Sequence, residues 1–128
     1  MTTHETATRY PLTWPTGWKR TPTHARRRAA FRHNRTELSI YQATSRLQDE
    51  LGRLGTQSEI LSTNVETRLD GTPRSDRKAP IDPGVAVYFT LKGQPRCLAC
   101  DKWDRVADNI AAIAAHIEAI RAVDEAGR

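Results

Sequence analysis

Two stretches of the sequence place apolar residues at the three- and four-residue spacing of a one-sided helix. The first follows the run Ser39-Ile-Tyr-Gln42, which has the form of a capping box, and it ends before Gly55, a residue suited to a helix C-cap. This pattern predicts a helix over 39–54. The second stretch follows Asp101, which we expect to cap the helix. Its apolar stripe consists of Trp103, Val106, Ile110, Ile113, Ile117 and Ile120.

Between these helices, β-branched and aromatic residues cluster in short runs that predict strands. The first run covers 59–64, and the clearest run is Val85–Leu91, whose odd-numbered residues share one face. A tight turn then leads to a further strand over 96–99, and Pro95 indicates that this strand lies at a sheet edge. Residues 64–84 form a long polar segment rich in turn residues. The order of elements predicts an α+β fold, with a small antiparallel sheet of about three strands packed against two helices.

Positive charge is concentrated at the front of the chain. The 128 residues include 20 Lys or Arg and 15 Asp or Glu, which give a formal net charge of +5. Residues 1–35 hold eight of the basic residues against the single acid Glu5, whereas residues 36–128 are slightly acidic. Three prolines favour extended or turn conformations over residues 1–22. We therefore predict a basic N-terminal arm, residues 1–35, followed by an α+β domain, residues 36–128.

An extended basic arm with aromatic rings has the chemistry that nucleic acids recognise. Arginines neutralise phosphates, and indole or phenol rings stack on unpaired bases. For Tyr10, Trp14 and Trp18 we favour the alternative that the rings pack on the domain and hold the arm in place. The arginines, in the corresponding alternative, form a solvated face. The residues predicted to contact nucleic acid are Arg20, Arg26, Arg27, Arg28, Arg32, Arg35, Arg74, Arg77 and Lys78.

The run Cys97-Leu-Ala-Cys100 is the one constellation in the sequence with a known chemical use. Two thiolates at this spacing supply half of a tetrahedral zinc site, but a second CxxC is absent. A CxxC ahead of a helix also suits thiol–disulfide chemistry, whereas two small buried cysteines need no chemical role. We favour the structural interpretation and expect no cofactor, with zinc bound by Cys97 and Cys100 as an alternative.

Asp82 before the central strand and Lys92 after it match part of a metal-dependent nuclease motif. Thr90 stands where the second carboxylate of that motif belongs, so a nuclease would need another acid near Asp82 in space. The candidates for that acid are Glu59, Glu66 and Asp70.

No complete catalytic motif is present. A glycine-rich phosphate loop, an HExxH motif and a Ser/His/Asp arrangement are all absent from the sequence, so we favour a non-enzymatic protein. No apolar run approaches the roughly 20 residues of a membrane-spanning helix, and the front of the sequence lacks the apolar core of a signal peptide. We expect a cytoplasmic protein that does not contact the membrane.

Three parts of the sequence are distinctive: YPLTWPTGWKRT at 10–21, RLDGTPRS at 68–75, and the neighbouring runs DPGVAVYFTL at 82–91 and RCLACDKWDRVADNIAAI at 96–113. Together they resemble a family of small phage, prophage and plasmid proteins that are often labelled J domain-containing or DnaJ-like. The J domain of such proteins is a separate C-terminal extension with a His-Pro-Asp tripeptide, which is absent here. The resemblance therefore implies a mobile-element origin and a role in DNA replication or recombination, without co-chaperone activity.

These observations favour a non-enzymatic accessory protein of a phage or mobile element that binds nucleic acid mainly through phosphate contacts. The alternative is a protein-binding inhibitor or adaptor that acts on a host or phage enzyme. The apolar stripe of the C-terminal helix would also allow a homodimer, if it faced a second copy instead of its own sheet.

Overall fold

The computed structural model of the protein describes residues 6–28, 32–33, 36–67 and 79–126. The α-helices and strands in these residues are β1 (Ala7–Arg9), β2 (Arg32–His33), β3 (Thr36–Glu37), α1 (Ile40–Leu54), β4 (Gln57–Thr63), β5 (Val85–Leu91), β6 (Gln94–Cys100) and α2 (Val106–Ala126). A 3-10 turn covers Thr23–Ala25. The arrangement is α+β, as the sequence predicts.

The main sheet has four strands in the order β1-β4-β5-β6. The last three are antiparallel neighbours, and β1 adds to β4 in parallel. The sequence predicted about three strands and missed β1, because three residues ahead of a proline-containing segment are too few to show an alternating pattern. Strands β2 and β3 form a separate antiparallel pair, in which Arg32 lies opposite Glu37.

Helix α1 begins and ends where its sequence pattern predicts. The Gln42 N–H donates to Ser39 Oγ at 3.0 Å, and the Ser39 N–H donates to Gln42 Oε1 at 2.9 Å, so the capping box is complete. At the other end Gly55 has a φ of 87°, in the left-handed region that glycine adopts most readily. Its N–H donates to the Leu51 carbonyl and ends the helix.

The hydrophobic core lies between the two helices and one face of the sheet. The helices pack side by side and run in the same direction, since Arg46 contacts Glu118 and Glu50 contacts Arg121 one turn further along each helix. Fully buried side chains in this core include Leu47, Leu51, Leu61, Val85, Val87, Ile110 and Ile117. The stripe predicted for α2 therefore covers the sheet from Val106 to Ile117, although its first member, Trp103, precedes the helix and its last, Ile120, is exposed.

The start of α2 differs from the prediction. Asp101 does not cap the helix, which begins at Val106, and its carboxylate binds the N-terminal segment instead. Asn109 holds the connection between β6 and α2. Its Oδ1 accepts the Trp103 N–H at 3.0 Å, and its Nδ2 donates to the carbonyls of Trp103 and Pro83. Asn109 is fully buried, so these bonds satisfy an amide that would otherwise be costly to bury.

The hairpin of β5 and β6 matches the prediction closely. Its turn residues Lys92 and Gly93 have φ values of 52° and 76°, the pair of positive angles that a two-residue hairpin turn favours. Strand β6 lies at the edge of the sheet, as Pro95 indicates.

Candidate functional site: the N-terminal strap and its arginines

Residues 10–28, which we call the strap, cross the face of the sheet opposite the helices. The Thr13 N–H donates to Ser62 Oγ on β4 at 2.7 Å, and the Tyr88 hydroxyl on β5 donates to the Thr13 carbonyl. Ser62 and Ala86, which are register partners on this face, are both buried. The strap therefore covers one part of the sheet as a second, thin layer.

The strap begins next to β1 at one edge of the sheet and ends near the other edge, which is formed by β6. Arg27 forms a parallel bridge with Trp103: its N–H donates to the Lys102 carbonyl at 3.0 Å, and its carbonyl accepts the Asp104 N–H at 2.8 Å. Residues 6–28 thus pack with β4, β5 and the segment that follows β6 as one unit. The described part of the predicted arm is extended, but it is not separate from the domain.

Two arginines of the strap and two aspartates at the ends of the sheet strands form a cluster that we call the clasp: Arg20, Arg26, Asp82 and Asp101. Arg20 Nε donates to Asp101 Oδ2 at 2.8 Å, and Arg20 Nη2 donates to Asp82 Oδ1 at 2.6 Å. Arg26 Nη2 lies 3.5 Å from Asp82 Oδ1 and 3.7 Å from Asp101 Oδ2. Each guanidinium group therefore faces both carboxylates.

The Arg26–Asp101 side of the clasp is buried, with 9% and 4% of the two side chains exposed. Asp101 Oδ2 also accepts the Thr21 N–H at 2.9 Å, and Asp82 Oδ1 accepts the Gly84 N–H at 3.0 Å. A Cβ atom at Gly84 would lie 3.0 Å from Arg20 Nη2, so a side chain there would crowd the clasp. Glycine is therefore the residue that lets the strap approach the sheet so closely at this point.

The clasp keeps both of its carboxyl groups ionised. Burial alone would raise the pKa of Asp101, but hydrogen bonds from Arg20 and Thr21 outweigh it and lower the pKa below its usual value. The pKa of Asp82 is lowered in the same way, with burial opposed by hydrogen bonds from Arg20 and the Gly84 N–H. Burial likewise opposes the charge of Arg20, yet its bonds to the two aspartates raise its pKa. The clasp is a charge-balanced network of two cations and two anions.

Trp14 covers the clasp from the strap. The guanidinium carbon of Arg20 lies 4.4 Å from the centroid of the Trp14 ring, within the range of a cation–π contact. The ring nitrogen of Trp14 donates to the Trp18 carbonyl at 2.9 Å, which fixes the ring. Trp14 is half-buried, as predicted for a packing residue, whereas Tyr10 and Trp18 are 49% and 41% exposed.

The clasp gives Arg20 and Arg26 carboxylate partners within the same chain, an arrangement that does not favour the phosphate contacts predicted for these two residues. Sequence reasoning missed this pairing since the partners are distant: Arg20 and Asp101 are 81 positions apart. Asp101 carried a local signal for a helix cap, and Asp82 one for a metal ligand, and neither signal indicates an arginine partner.

Arg27 and Arg28 have different surroundings from those of the clasp arginines. Both are exposed, and the guanidinium group of Arg28 lies 3.6 Å from Glu37 and 3.8 Å from Asp104. These are the distances of loose surface ion pairs, which solvent and salt weaken. Of the other predicted contacts, Arg32 begins β2, and Arg35, Arg74, Arg77 and Lys78 lie outside the described residues.

The two cysteines do not form a joint site. Cys97 lies opposite Tyr88 and Cys100 opposite Val85 in the β5–β6 ladder, and residues three apart on one strand point to opposite faces. Cys100 faces the helices, where its thiol donates to Asn109 Oδ1 at 3.3 Å and burial raises its pKa. One zinc ion cannot bind both thiols, so the zinc alternative is wrong for this pair. Among the described residues, no cluster of three or more His, Cys, Asp or Glu is arranged to hold a metal.

The arrangement around Asp82 also argues against the nuclease interpretation. Asp82 does have a second carboxylate nearby, but it belongs to Asp101. The guanidinium groups of Arg20 and Arg26 occupy the positions where a divalent cation would have to bind these oxygens. Of the candidates from the sequence, Glu59 is buried and accepts a hydrogen bond from Thr56, Glu66 is half-buried, and Asp70 lies outside the described residues.

No protein-family model, no curated protein and no solved structure matches the chain. Within the described residues, none of the helices has both the length and the apolar character required to cross a membrane.

Proposed function

We propose that the protein is a non-enzymatic accessory protein of a phage or other mobile element, and that it binds nucleic acid mainly through phosphate contacts. The observation that carries the proposal is the fixed position of exposed Arg27 and Arg28 at the end of the strap. Both the N–H and the carbonyl of Arg27 are hydrogen-bonded to the 102–104 segment. Two further arginines, Arg32 and Arg35, follow in the sequence. A fixed starting point reduces the conformational entropy that these cations lose when they bind a phosphate backbone.

The charge left over after clasp formation supports the same proposal. Residues 1–35 hold eight basic residues and one acid, and Asp82 and Asp101 match only two of the basic ones. The surface pairs of Arg28 are loose enough for phosphates to compete with Glu37 and Asp104. The front of the chain therefore keeps an excess of positive charge, which is the electrostatic signature of nucleic-acid binding.

The proposed mobile-element origin rests on the resemblance of three parts of the sequence. Residues 10–21 hold the first half of the strap, including Arg20, and the runs at 82–91 and 96–113 hold Asp82 and Asp101. The parts that carry the resemblance thus supply three of the four residues of the clasp.

The proposal is tested by measuring the affinity of the full chain for a labelled oligonucleotide at several salt concentrations. The double substitution Arg27→Gln/Arg28→Gln is expected to weaken binding about tenfold at low salt, and to reduce the slope of log affinity against log salt by about two.

The matched control is Arg46→Gln/Arg53→Gln, which removes the same charge from α1, where Arg53 is exposed and Arg46 is half-buried. It is expected to change the affinity much less. Equal losses in the two variants, or an affinity of the natural chain that does not depend on salt, would argue against phosphate contacts at the strap.

A second candidate is a protein-binding inhibitor or adaptor. It is favoured by the last turns of α2, where Ile120 and Val123 continue the helix beyond the core with 43% and 72% exposure. A partner or a second copy of the chain would bury these side chains. Recovery of a stable protein partner after nuclease treatment, abolished by Ile120→Lys/Val123→Lys, would favour this candidate over the first.

A further inference from the structure

A groove of about 290 Å³ lies beside the strap on the face of the sheet opposite the helices. Its lining residues are Arg9, Thr13, Ile60, Ser62 and Tyr88. None of them belongs to the clasp or to the exposed arginines at the end of the strap. The groove is therefore distinct from both the clasp and the exposed arginines.

Strand register explains why these residues meet. Ile60 on β4 lies opposite Tyr88 on β5, and Ser62 lies opposite Arg9 on β1, so all four belong to the same face of the sheet. Thr13 closes one side, where its N–H and carbonyl are bonded to Ser62 and Tyr88. The walls are thus held by main-chain pairing and by the strap.

The groove combines a cation with an apolar surface. Arg9 is exposed and its guanidinium group is held by the Thr8 carbonyl at 3.0 Å, and no carboxylate is among the five lining residues. The ring of Tyr88 and the exposed side chain of Ile60 offer a surface for a flat group. The volume lies just below the roughly 300–1,000 Å³ of small-molecule sites, so it suits one ring system and not an extended cofactor.

We propose that this groove binds one base of a single-stranded nucleic acid, with the base on Tyr88 and Ile60 and the adjoining phosphate on Arg9. This inference rests on the proposed function and adds to it a preference for unpaired bases. Aromatic rings beside a cation are the recurring elements of single-strand binding, whereas a duplex hides the faces of its bases. The same surface accepts DNA or RNA, since every base has an aromatic face.

The experiment compares four ligands of equal length with the full chain: a thymidine oligonucleotide, a uridine oligonucleotide, an abasic oligonucleotide and a DNA duplex. The abasic strand keeps the phosphates and removes the bases. The natural protein is expected to bind the thymidine or the uridine strand about tenfold more tightly than the abasic strand.

Substitutions then locate this preference in the groove. Tyr88→Leu and Ile60→Ser are expected to remove most of the tenfold preference, while Tyr88→Phe, which keeps the ring and loses only the hydroxyl bond to the strap, retains it. Arg9→Gln is expected to weaken single-strand binding severalfold, against little change for its charge-matched control Arg53→Gln. Because Ile60 has no bond to the strap, Ile60→Ser tests the groove even where Tyr88→Leu disturbs folding.

The outcomes separate this inference from the proposed function. Equal affinity for the thymidine, uridine and abasic strands, with the Arg27→Gln/Arg28→Gln effect intact, would overturn the groove proposal and leave phosphate binding in place. Absence of binding to all four ligands at low salt would overturn both.

Discussion

Arg26 and Arg28 are two positions apart in the sequence and have opposite surroundings. The side chain of Arg26 is 9% exposed and faces Asp82 and Asp101, whereas that of Arg28 is 69% exposed and has only distant surface partners. The number of arginines in a segment therefore does not measure the charge that it offers to a ligand. That charge depends on carboxylates that arrive from other parts of the chain.

The aspartates show the same contrast. Asp101 and Asp104 are three residues apart, and their side chains are 4% and 40% exposed. The first accepts hydrogen bonds from a guanidinium group and a main-chain N–H, while the second lies 3.8 Å from Arg28. Each of the following predictions is designed to break or to sharpen this difference between the clasp and the exposed surface.

The largest effect is expected from Asp101→Ala. The substitution leaves Asp82 as the one clasp carboxylate facing the buried guanidinium group of Arg26, which keeps its bond to the main-chain carbonyl of residue 101, and it removes the acceptor of the Thr21 N–H. We expect a loss of about 2–3 kcal/mol in the free energy of unfolding, measured by urea denaturation. The loss is limited to this size because Arg20 is partly exposed and solvent can stabilise its charge. Asp104→Ala, the matched control, should cost no more than about 0.5 kcal/mol. Similar losses in both variants would mean that the clasp does not hold the strap.

The second-largest effect is expected from acid, which should weaken the clasp. The pKa values of Asp82 and Asp101 are lowered in the folded protein, so the unfolded chain takes up protons more readily than the folded one. The stability that these groups add is complete above their ordinary pKa of 3.8 and is lost as the pH falls below about 4. Urea midpoints measured between neutral pH and about pH 3 should show this loss, and Asp101→Asn should reduce it. An unchanged pH dependence in that variant would contradict the assignment.

Replacement of the ring over the clasp should have a smaller effect. Trp14→Leu removes the cation–π contact with Arg20 and the bond to the Trp18 carbonyl. A loss of about 1 kcal/mol is expected by urea denaturation followed by circular dichroism. The more exposed Trp18 supplies the comparison, since Trp18→Leu removes no such contact and should cost less. The reverse order would show that Trp14 does not support Arg20.

Arg28→Gln should have the smallest effect on folding. Its ion pairs are exposed and longer than 3.5 Å, so the free energy of unfolding should change by less than about 0.5 kcal/mol. Arg26→Gln, two positions away, is expected to cost several times more because its charge is buried against Asp101. Equal effects would remove the distinction between the two kinds of arginine.

Elements defined by local patterns could be predicted from the sequence. Ser39, Gln42 and Gly55 set the ends of α1, and the alternation of Val85–Leu91 set the buried face of β5. Such signals depend on residues within a few positions of one another, so one sequence contains them fully. The four-stranded sheet and the strap depend instead on contacts between distant residues, which no local pattern records.

The zinc alternative for Cys97 and Cys100 depended on where the second hairpin strand ends. The second hairpin strand was predicted to include Cys97, and side chains on a strand alternate between faces. Extended by one residue, as observed in Gln94–Cys100, that strand already separates Cys97 from Cys100 and excludes a shared zinc ion. The clasp could not have been found in this way, because Asp82 and Asp101 had plausible local roles of their own.

The long-range pairing of the N-terminal segment affects how the chain is made. β1 pairs Ala7 with Ile60, and the strap is closed by Asp101, so both partners are translated well after the segment that needs them. Until then residues 6–28 leave the ribosome without the partners that hold them in the folded protein. Closing such long loops is entropically costly and slow, so we expect the strap to dock last during folding, after the helices and the hairpin have formed.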